Sequence, residues 1–367
     1  MEHAKVLLLL TGGTAGMKYD SNGSLAPVPG YLNECIQNQL LQRNSSYGKP
    51  SVTVLEFPDQ LDSADMNSED WKRIALTIQA HYQWYNGFVV VMGTDTMAYC
   101  ASALAFMFNN LAKPVVITGA MLPIERGDSD APRNLMVAIT CAAISNISEV
   151  VVVSASSVFR GCRVKKMDSG AIGAFESPNF PVLAKSQGPL LVHRQLVRQP
   201  DPRLALEVNT AMETKIIAIR LVPGFTSQLQ LLERGSEVMG GLRGLVLELF
   251  GAGNAPKSQP LINSVKHCVQ LGVLVVICSQ CPKGQVDLLA YANGRQLLEA
   301  GAISARDMTF EACVTKLGHL LANQDLTADQ VKLKMIQNLR GEMNPEVDHE
   351  PRYGGFRVED LEFTPRL

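Results

Sequence analysis

Two threonines bracket a pair of glycines at Thr11-Gly12-Gly13-Thr14, directly after the apolar run Val6–Leu10. A glycine-rich turn behind a buried strand invites a phosphate reading, because backbone amides at a helix N-terminus stabilise anions. The spacing refuses it. A Walker loop counted from Gly12 puts Met17 where its second glycine belongs and Tyr19 where its hydroxyl belongs. A dinucleotide GxGxxG ending at Gly16 needs a glycine where Thr11 stands. What remains is a tight strand-to-helix turn that offers amides to an oxyanion and presents the Thr14 hydroxyl beside them. A purely structural turn capped by threonine competes on even terms.

Three further stretches carry groups of the same kind. Gly93-Thr94-Asp95-Thr96 closes a second apolar run, and two hydroxyls with a carboxylate are costly to bury unpaired. Open α/β sheets bind ligands at the C-terminal edge of their strands, which points these side chains and Thr14 toward one crevice. The competing role is to cap a helix beginning near Met97. Leu61–Met66 follows the run Val52–Phe57; there Asp62 and Ser63 can grip the charged ends of an amino acid, while Asp65 caps or solvates the next turn. Phe159–Asp168 brings four cations to the same edge. A surface basic cluster is the default, yet a lysine desolvated beside other cations sheds its proton more readily and serves as a base.

The elements that must position these residues alternate. Short apolar, β-rich runs at Val6–Leu10, Val52–Phe57, Phe88–Val91, Val115–Thr118 and Val150–Val153 read as strands. Between them, Trp71, Ile74, Ala75, Ile78 and Tyr82 form a helical stripe capped by Asn67 or Ser68, and helices also fit Met97–Leu111 and Arg133–Ala143. Such alternation means a mostly parallel sheet covered on both faces. A polar, proline-bearing stretch from Lys185 to Asn209 breaks it. A second α/β set follows, with strands at Lys215–Leu221, Leu245–Phe250 and Val273–Cys278. Its helices are expected near 226–234, 261–271, 294–300, 309–322 and 327–339. The expected organisation is a larger N-terminal domain over 1–190, a connection over 191–213, a smaller C-terminal parallel-sheet domain over 214–345 and a charged tail over 346–367.

Bulk properties exclude several functions. The 367 residues, 46% of them hydrophobic, are enough for about two domains. A net charge of −2 leaves no basic footprint for nucleic acid or an anionic membrane. No apolar run approaches about 18 residues, and the first residues do not read as a secretory leader, so a cytoplasmic location is expected. The eight cysteines lie mostly inside apolar segments and read as reduced, buried thiols. Cys278 and Cys281 form a lone CxxC without a second pair, so Cys278 reads as a strand end and Cys281 as the loop after it.

In order and spacing, Thr11–Met17, Leu61–Met66, Gly93–Met107, Lys113–Ala120, Arg160–Lys166 with Phe175–Asn179, Gly251–Pro256 and Leu339–Met343 resemble the cytosolic type I L-asparaginases of the bacterial-type asparaginase/glutaminase family. The resemblance runs from Lys5 to Met343. It implies two α/β domains, a homodimer or homotetramer, and hydrolysis of the side-chain amide of L-asparagine, with L-glutamine weaker and no metal or organic cofactor. It also implies Thr14 as nucleophile, forming an acyl-enzyme, with Thr94, Asp95 and Lys166 as the activating group. Lys165 is then a substitution. In the same reading Asp95 binds the substrate ammonium, Asp62 and Ser63 hold its α-amino and α-carboxylate ends, the Ala120 backbone lies near the leaving amide, and Asn254 reaches the active site of a neighbouring subunit.

The chain also departs from the family pattern. Ala15 replaces the usual isoleucine, Ala64 a serine or glutamine, and Ser129–Asn134 lacks the glycine after its aspartate. Ser24 stands at the position of the usual lid tyrosine, which leaves Tyr19 as the possible lid residue. Some animal relatives are described as lysophospholipases, so an ester hydrolase is the alternative enzyme. However, the chain lacks GxSxG, and the nearest miss is Gly127–Ala131. A non-catalytic amino-acid sensor on the same fold is the third reading, against which the retained Thr14, Thr94, Asp95 and Lys166 argue.

Overall fold

The computed structural model describes residues 3–41, 50–224 and 241–345; the helix expected near 226–234 and the tail 346–367 lie outside the described residues. Two compact units emerge. The first comprises Met1–Ser177 and Val182–Thr210, the second Pro178–Pro181 and Ala211–Leu367.

The first unit is built on an eight-stranded sheet. From one edge its order is Leu190–Val192, Ala184–Ser186, Ser157–Arg160, Val150–Ser154, Val115–Thr118, Gly87–Val91, Lys5–Gly12 and Ser51–Leu61. The last five run parallel, and the first three are joined antiparallel. The runs Val6–Leu10, Phe88–Val91 and Val150–Val153 are buried along their whole length, which is why they read as unbroken apolar segments rather than as alternation. The helix Ser68–His81 opens on a capping box between Asn67 and Asp70 and buries Ile74, Ala75 and Ile78. The helix Met97–Met107 buries every side chain but Tyr99, so it is apolar all round, as a helix sealed inside a unit must be. A third helix, Ala131–Ile144, carries Pro132 in its first turn and packs on the strands Val115–Thr118, Gly87–Val91 and Lys5–Gly12.

Chain order locates the crevice. From Lys5–Gly12 the chain steps to Ser51–Leu61 on one side, then crosses to Gly87–Val91, Val115–Thr118 and Val150–Ser154 on the other. The reversal falls between Lys5–Gly12 and Gly87–Val91, and the C-terminal ends of these two strands lead into Thr14 and Thr94. A topological switch point of this kind leaves room for a ligand because neighbouring connections depart to opposite faces.

Of the residues expected as a connection, the Arg194–Leu196 turn and the short strand Glu207–Val208 belong to the first unit; the strand pairs with Phe108–Asn109. Two cations expected in a surface cluster are instead buried. Arg160 makes two bonds to Glu149, Nε to Oε2 at 2.6 Å and Nη2 to Oε1 at 3.1 Å, and Arg163 is 1% exposed. The sequence offers no clue to this, because Glu149 lies in the preceding strand connection and its pairing with Arg160 is tertiary.

The second unit holds a four-stranded parallel sheet in the order Ile216–Arg220, Gly244–Leu249, Leu274–Ser279 and Ile303–Ser304. Three of its described helices are fixed at their starts by side-chain caps: Ser258 accepts the Leu261 amide before Gln259–Gln270, Thr309 accepts the Ala312 amide before Phe310–Ala322, and Thr327 and Gln330 form a capping box at Ala328–Ile336. Leu245, Leu247, Val275 and Ile277 pack on one face of the sheet, Val246, Leu274 and Val276 on the other. Cys278, one residue before the end of Leu274–Ser279, is buried and hydrogen-bonds Cys313, whereas Cys281 is exposed, so the CxxC spacing does not bring its two thiols into one environment.

A buried ion pair and a largely buried histidine lie in this unit. Lys316 and Glu342, both inaccessible, meet at 2.5 Å, and Glu342 also accepts the Leu339 and Arg340 amides. Burial pushes the Glu342 carboxyl up, but Lys316 and those amides outweigh it and hold the group below the usual carboxylate range. Burial lowers His319 from 6.5 to about 4, against a backbone hydrogen bond with Ala211. The unfolded chain therefore binds the histidine proton before the folded one as pH falls. Its stability contribution is full above about pH 6.5 and drains away toward pH 4, by up to roughly 3 kcal/mol. Denaturant titrations of the whole chain at pH 7 and pH 5 measure this slope. His319→Gln is expected to flatten it, and an unaltered slope would assign the acid sensitivity elsewhere.

Candidate active site

The loop after Lys5–Gly12 is not the start of a helix. Thr14–Gly16 forms a single 3-10 turn and then runs into Met17–Tyr19, which pairs with Leu25–Pro27 as a hairpin. The Gly16 amide donates to the Gly13 carbonyl and the Met17 amide to the Thr14 carbonyl, so those two amides are not available to an oxyanion as the strand-to-helix reading expects.

The glycines serve close approach instead. Gly12 has φ 127° and Gly13 φ 93°, which disfavour any side chain. A Cβ on Gly12 would meet the Leu61 carbonyl oxygen, and one on Gly13 would collide with the Gly93 nitrogen. On the other side, a Cβ on Gly93 would lie 2.6 Å from Ser63 Oγ, and one on Gly119 would collide with the Met92 carbonyl oxygen. Backbone is thus stacked on backbone across four neighbouring strand ends. The loops bearing Thr14, Ser63, Thr94 and Ala120 are brought together by the absence of side chains between them.

Lys166 completes the cluster. Its Nζ donates to Thr94 Oγ1 at 2.9 Å and lies 2.6 Å from Asp95 Oδ1. Thr94 is 8% exposed, the Lys166 side chain 15% and the Asp95 side chain 69%, so an outward-facing carboxylate sits over a nearly buried hydroxyl and amine. Thr94 Oγ1 in turn donates to Met121 Sδ at 3.5 Å. The capping reading of this stretch does not hold. Thr96 occupies the N-cap position but its hydroxyl donates to the Ser63 carbonyl at 2.7 Å, tying two of the loops together. The Lys166 amine thus lies against an anion and a hydroxyl.

Residues 5–198 match the family description "Asparaginase, N-terminal" and residues 215–335 match "Glutaminase/Asparaginase C-terminal domain". The chain belongs to the asparaginase family. It is 36% identical to L-asparaginase 1 of Escherichia coli K12, over 94% of this chain and all of that one. It is likewise 36% identical to the 60 kDa lysophospholipase of Mus musculus over 92% of this chain, while spanning 62% of that relative's length. The crystal structure of L-asparaginase I from Vibrio cholerae superposes with a TM-score of 0.83 at 35% identity, covering 94% of this chain and 100% of that one. The family comprises hydrolases, and the larger mostly parallel domain with a smaller parallel one is its fold.

Within this asparaginase-family site, the remaining residues singled out from the sequence fall as follows. Thr14 is half-buried in the 3-10 turn. Ser63 is 1% exposed, and Asp62 is exposed and accepts the Ala64 amide at 3.0 Å. Ala120 is buried beside Met121. Tyr19 is exposed on its hairpin and hydrogen-bonds Arg126, whose guanidinium is held firmly charged by Asp128 and then by Tyr19. Ser24 lies in the turn of that hairpin, its amide on Asp20. Asn254 belongs to the second unit, in the turn after Gly244–Leu249, where its Oδ1 accepts the Ala255 amide. Among the described residues no helix is long and apolar enough to cross a membrane. Sequence reasoning missed Met121, and it read Ser129–Asn134 only as a departure from the family pattern.

Proposed function

We propose that the chain is an L-asparaginase, hydrolysing the side-chain amide of L-asparagine to L-aspartate and ammonia, with L-glutamine a weaker substrate. The observation that carries this reading is the Lys166 Nζ–Thr94 Oγ1 hydrogen bond, on a loop whose Gly93 backbone abuts Gly13, next to Thr14.

An amide carbon is a poor electrophile and a threonine hydroxyl a weak nucleophile, so the site must remove a proton and steady the tetrahedral oxyanion. Thr14 Oγ1 attacks the amide carbon, and its proton leaves with the nitrogen as the C–N bond breaks, giving an acyl-threonine and ammonia. A water held at Thr94, whose hydroxyl Lys166 fixes in place, then attacks the acyl carbon; the bond to Thr14 Oγ1 breaks, a water proton returns to that oxygen, and L-aspartate is released. Asp95, with most of its carboxylate facing outward, receives the substrate ammonium, helped by Asp62, while Ser63 orients the α-carboxylate. As in the sequence reading, Asn254 is assigned to a neighbouring subunit's site, which makes a homodimer or homotetramer part of the proposal, and the cytoplasm its location.

Ammonia release from L-asparagine and L-glutamine, measured beside fatty-acid release from a lysophospholipid, tests the assignment. Asparagine should turn over fastest. The similarity to a mouse lysophospholipase makes the ester arm worth measuring; ester cleavage without ammonia release would replace the amidase reading with that one.

A further inference from the structure

The helix Ala131–Ile144 begins with an aspartate that does not cap it. Asp130 occupies the N-cap position, yet its side chain makes no capping bond to a backbone amide of the first turn. An aspartate there ordinarily bonds an amide of the first turn. Its carboxylate is instead 7% exposed and turned back onto the preceding loop. Oδ1 accepts the Met121 amide at 3.0 Å and the Leu122 amide at 3.1 Å, and Oδ2 accepts the Met121 amide at 3.1 Å. Asn134, one helical turn on and 2% exposed, donates from Nδ2 both to Asp130 Oδ2 and to the Gly119 carbonyl, each at 3.0 Å. Its Oδ1 accepts the Ala155 amide at 3.2 Å, at the tip of the hairpin that runs on toward Lys166.

The geometry points to Asp130 and Asn134 as positioning residues for the amide-hydrolysing site, an inference that rests on the amidase reading above. Peptide groups are planar and trans, so an N–H and the C=O of the same group point in opposite directions. With the Gly119 carbonyl held by Asn134, the Ala120 N–H is directed away from it. With the Met121 N–H held by Asp130, the Ala120 carbonyl is directed away from that carboxylate. Both peptide planes flanking Ala120 are therefore fixed by two buried side chains on one helix. The same clasp sets Met121, whose sulfur accepts from Thr94 Oγ1. A carboxylate is suited to this because charge-assisted bonds to N–H donors are stronger than neutral ones. Substrate ends held by Asp62, Ser63 and Asp95 do not depend on it.

Asp130→Asn keeps the shape and puts an NH2 where an acceptor faces the Met121 amide or the Asn134 NH2. It should lower kcat on L-asparagine by roughly 10- to 100-fold, the scale of an ångström-level misplacement, while KM and the calorimetric Kd for L-aspartate stay within about threefold. Met121→Leu, which keeps the volume and removes only the sulfur acceptor, should lower kcat by a few-fold at unchanged KM, and it reads the same clasp should Asp130→Asn fold poorly. A role confined to stability would lower Tm and leave kcat per folded molecule intact in both variants. That result, or a loss falling on KM and aspartate binding with kcat retained, overturns the positioning role while the wild type still releases ammonia. A wild type that releases none overturns the amidase reading itself and removes the basis of this inference.

Discussion

Thr14→Ala is expected to lose asparagine hydrolysis by on the order of 10⁴-fold or more, because it removes the hydroxyl oxygen proposed to form the covalent bond. The fold should tolerate the change. Thr14 is half-buried in a three-residue turn whose N-cap is Gly13 and whose backbone bonds run from Gly16 and Met17, none through the threonine side chain. L-Aspartate should therefore still bind, since the groups assigned to its charged ends are Asp62, Ser63 and Asp95. Steady-state ammonia release together with calorimetric aspartate binding separates the two quantities. Ammonia release in Thr14→Ala at more than about a hundredth of the wild-type rate would move the nucleophile elsewhere. Fatty-acid release from a lysophospholipid that survives the substitution would do the same for the ester chemistry. Thr14→Ser, which restores a hydroxyl, should recover measurable turnover.

The second large effect distinguishes two adjacent lysines. Lys166→Met keeps the length of the side chain and removes the amine that contacts Thr94 and Asp95, and turnover should fall by roughly 10²- to 10⁴-fold, the range for a positioned acid–base group. Asp95 loses a partner but stays mostly in water, so the cost in stability is small, about 1 kcal/mol or less. Lys165→Met should be nearly silent in turnover. Lys165 and Lys166 form one strand of a two-stranded ribbon, opposite Glu176 and Phe175, and successive side chains on a strand leave by opposite faces. Single-turnover and steady-state rates on both variants decide the register. A dead Lys165→Met beside an active Lys166→Met would reverse the assignment drawn from the resemblance and from the Thr94 contact.

Strand and helix positions were largely legible because local signals coincide with burial. The run Val115–Thr118 reads as a strand from its residues and is one, and Asn67 announces a cap that the structure completes with Asp70. The residues around Thr14 were less legible. Their glycines resemble the entrance to a helix, but Gly12 and Gly13 adopt positive φ for contacts with Leu61 and Gly93, residues that lie about fifty and eighty positions away, and the chain leaves as a hairpin. Arg160 and Arg163 look like surface charge for the same reason: Glu149 and the surrounding burial are tertiary facts.

By itself the sequence determined the order of the apolar strands, hence a parallel sheet with its chemistry at one edge, and the residue types Thr14, Thr94, Asp95 and the pair Lys165 and Lys166 available there. Only the tertiary structure decided which of two lysines meets Thr94, that Thr96 joins the Ser63 loop instead of capping a helix, and that Asp130 and Asn134 clasp the peptides around Ala120. The physical reason is range. Propensity and periodicity act over a few residues and are written along the chain, whereas a hydrogen bond between residues seventy positions apart exists only after the sheet has brought their strand ends side by side.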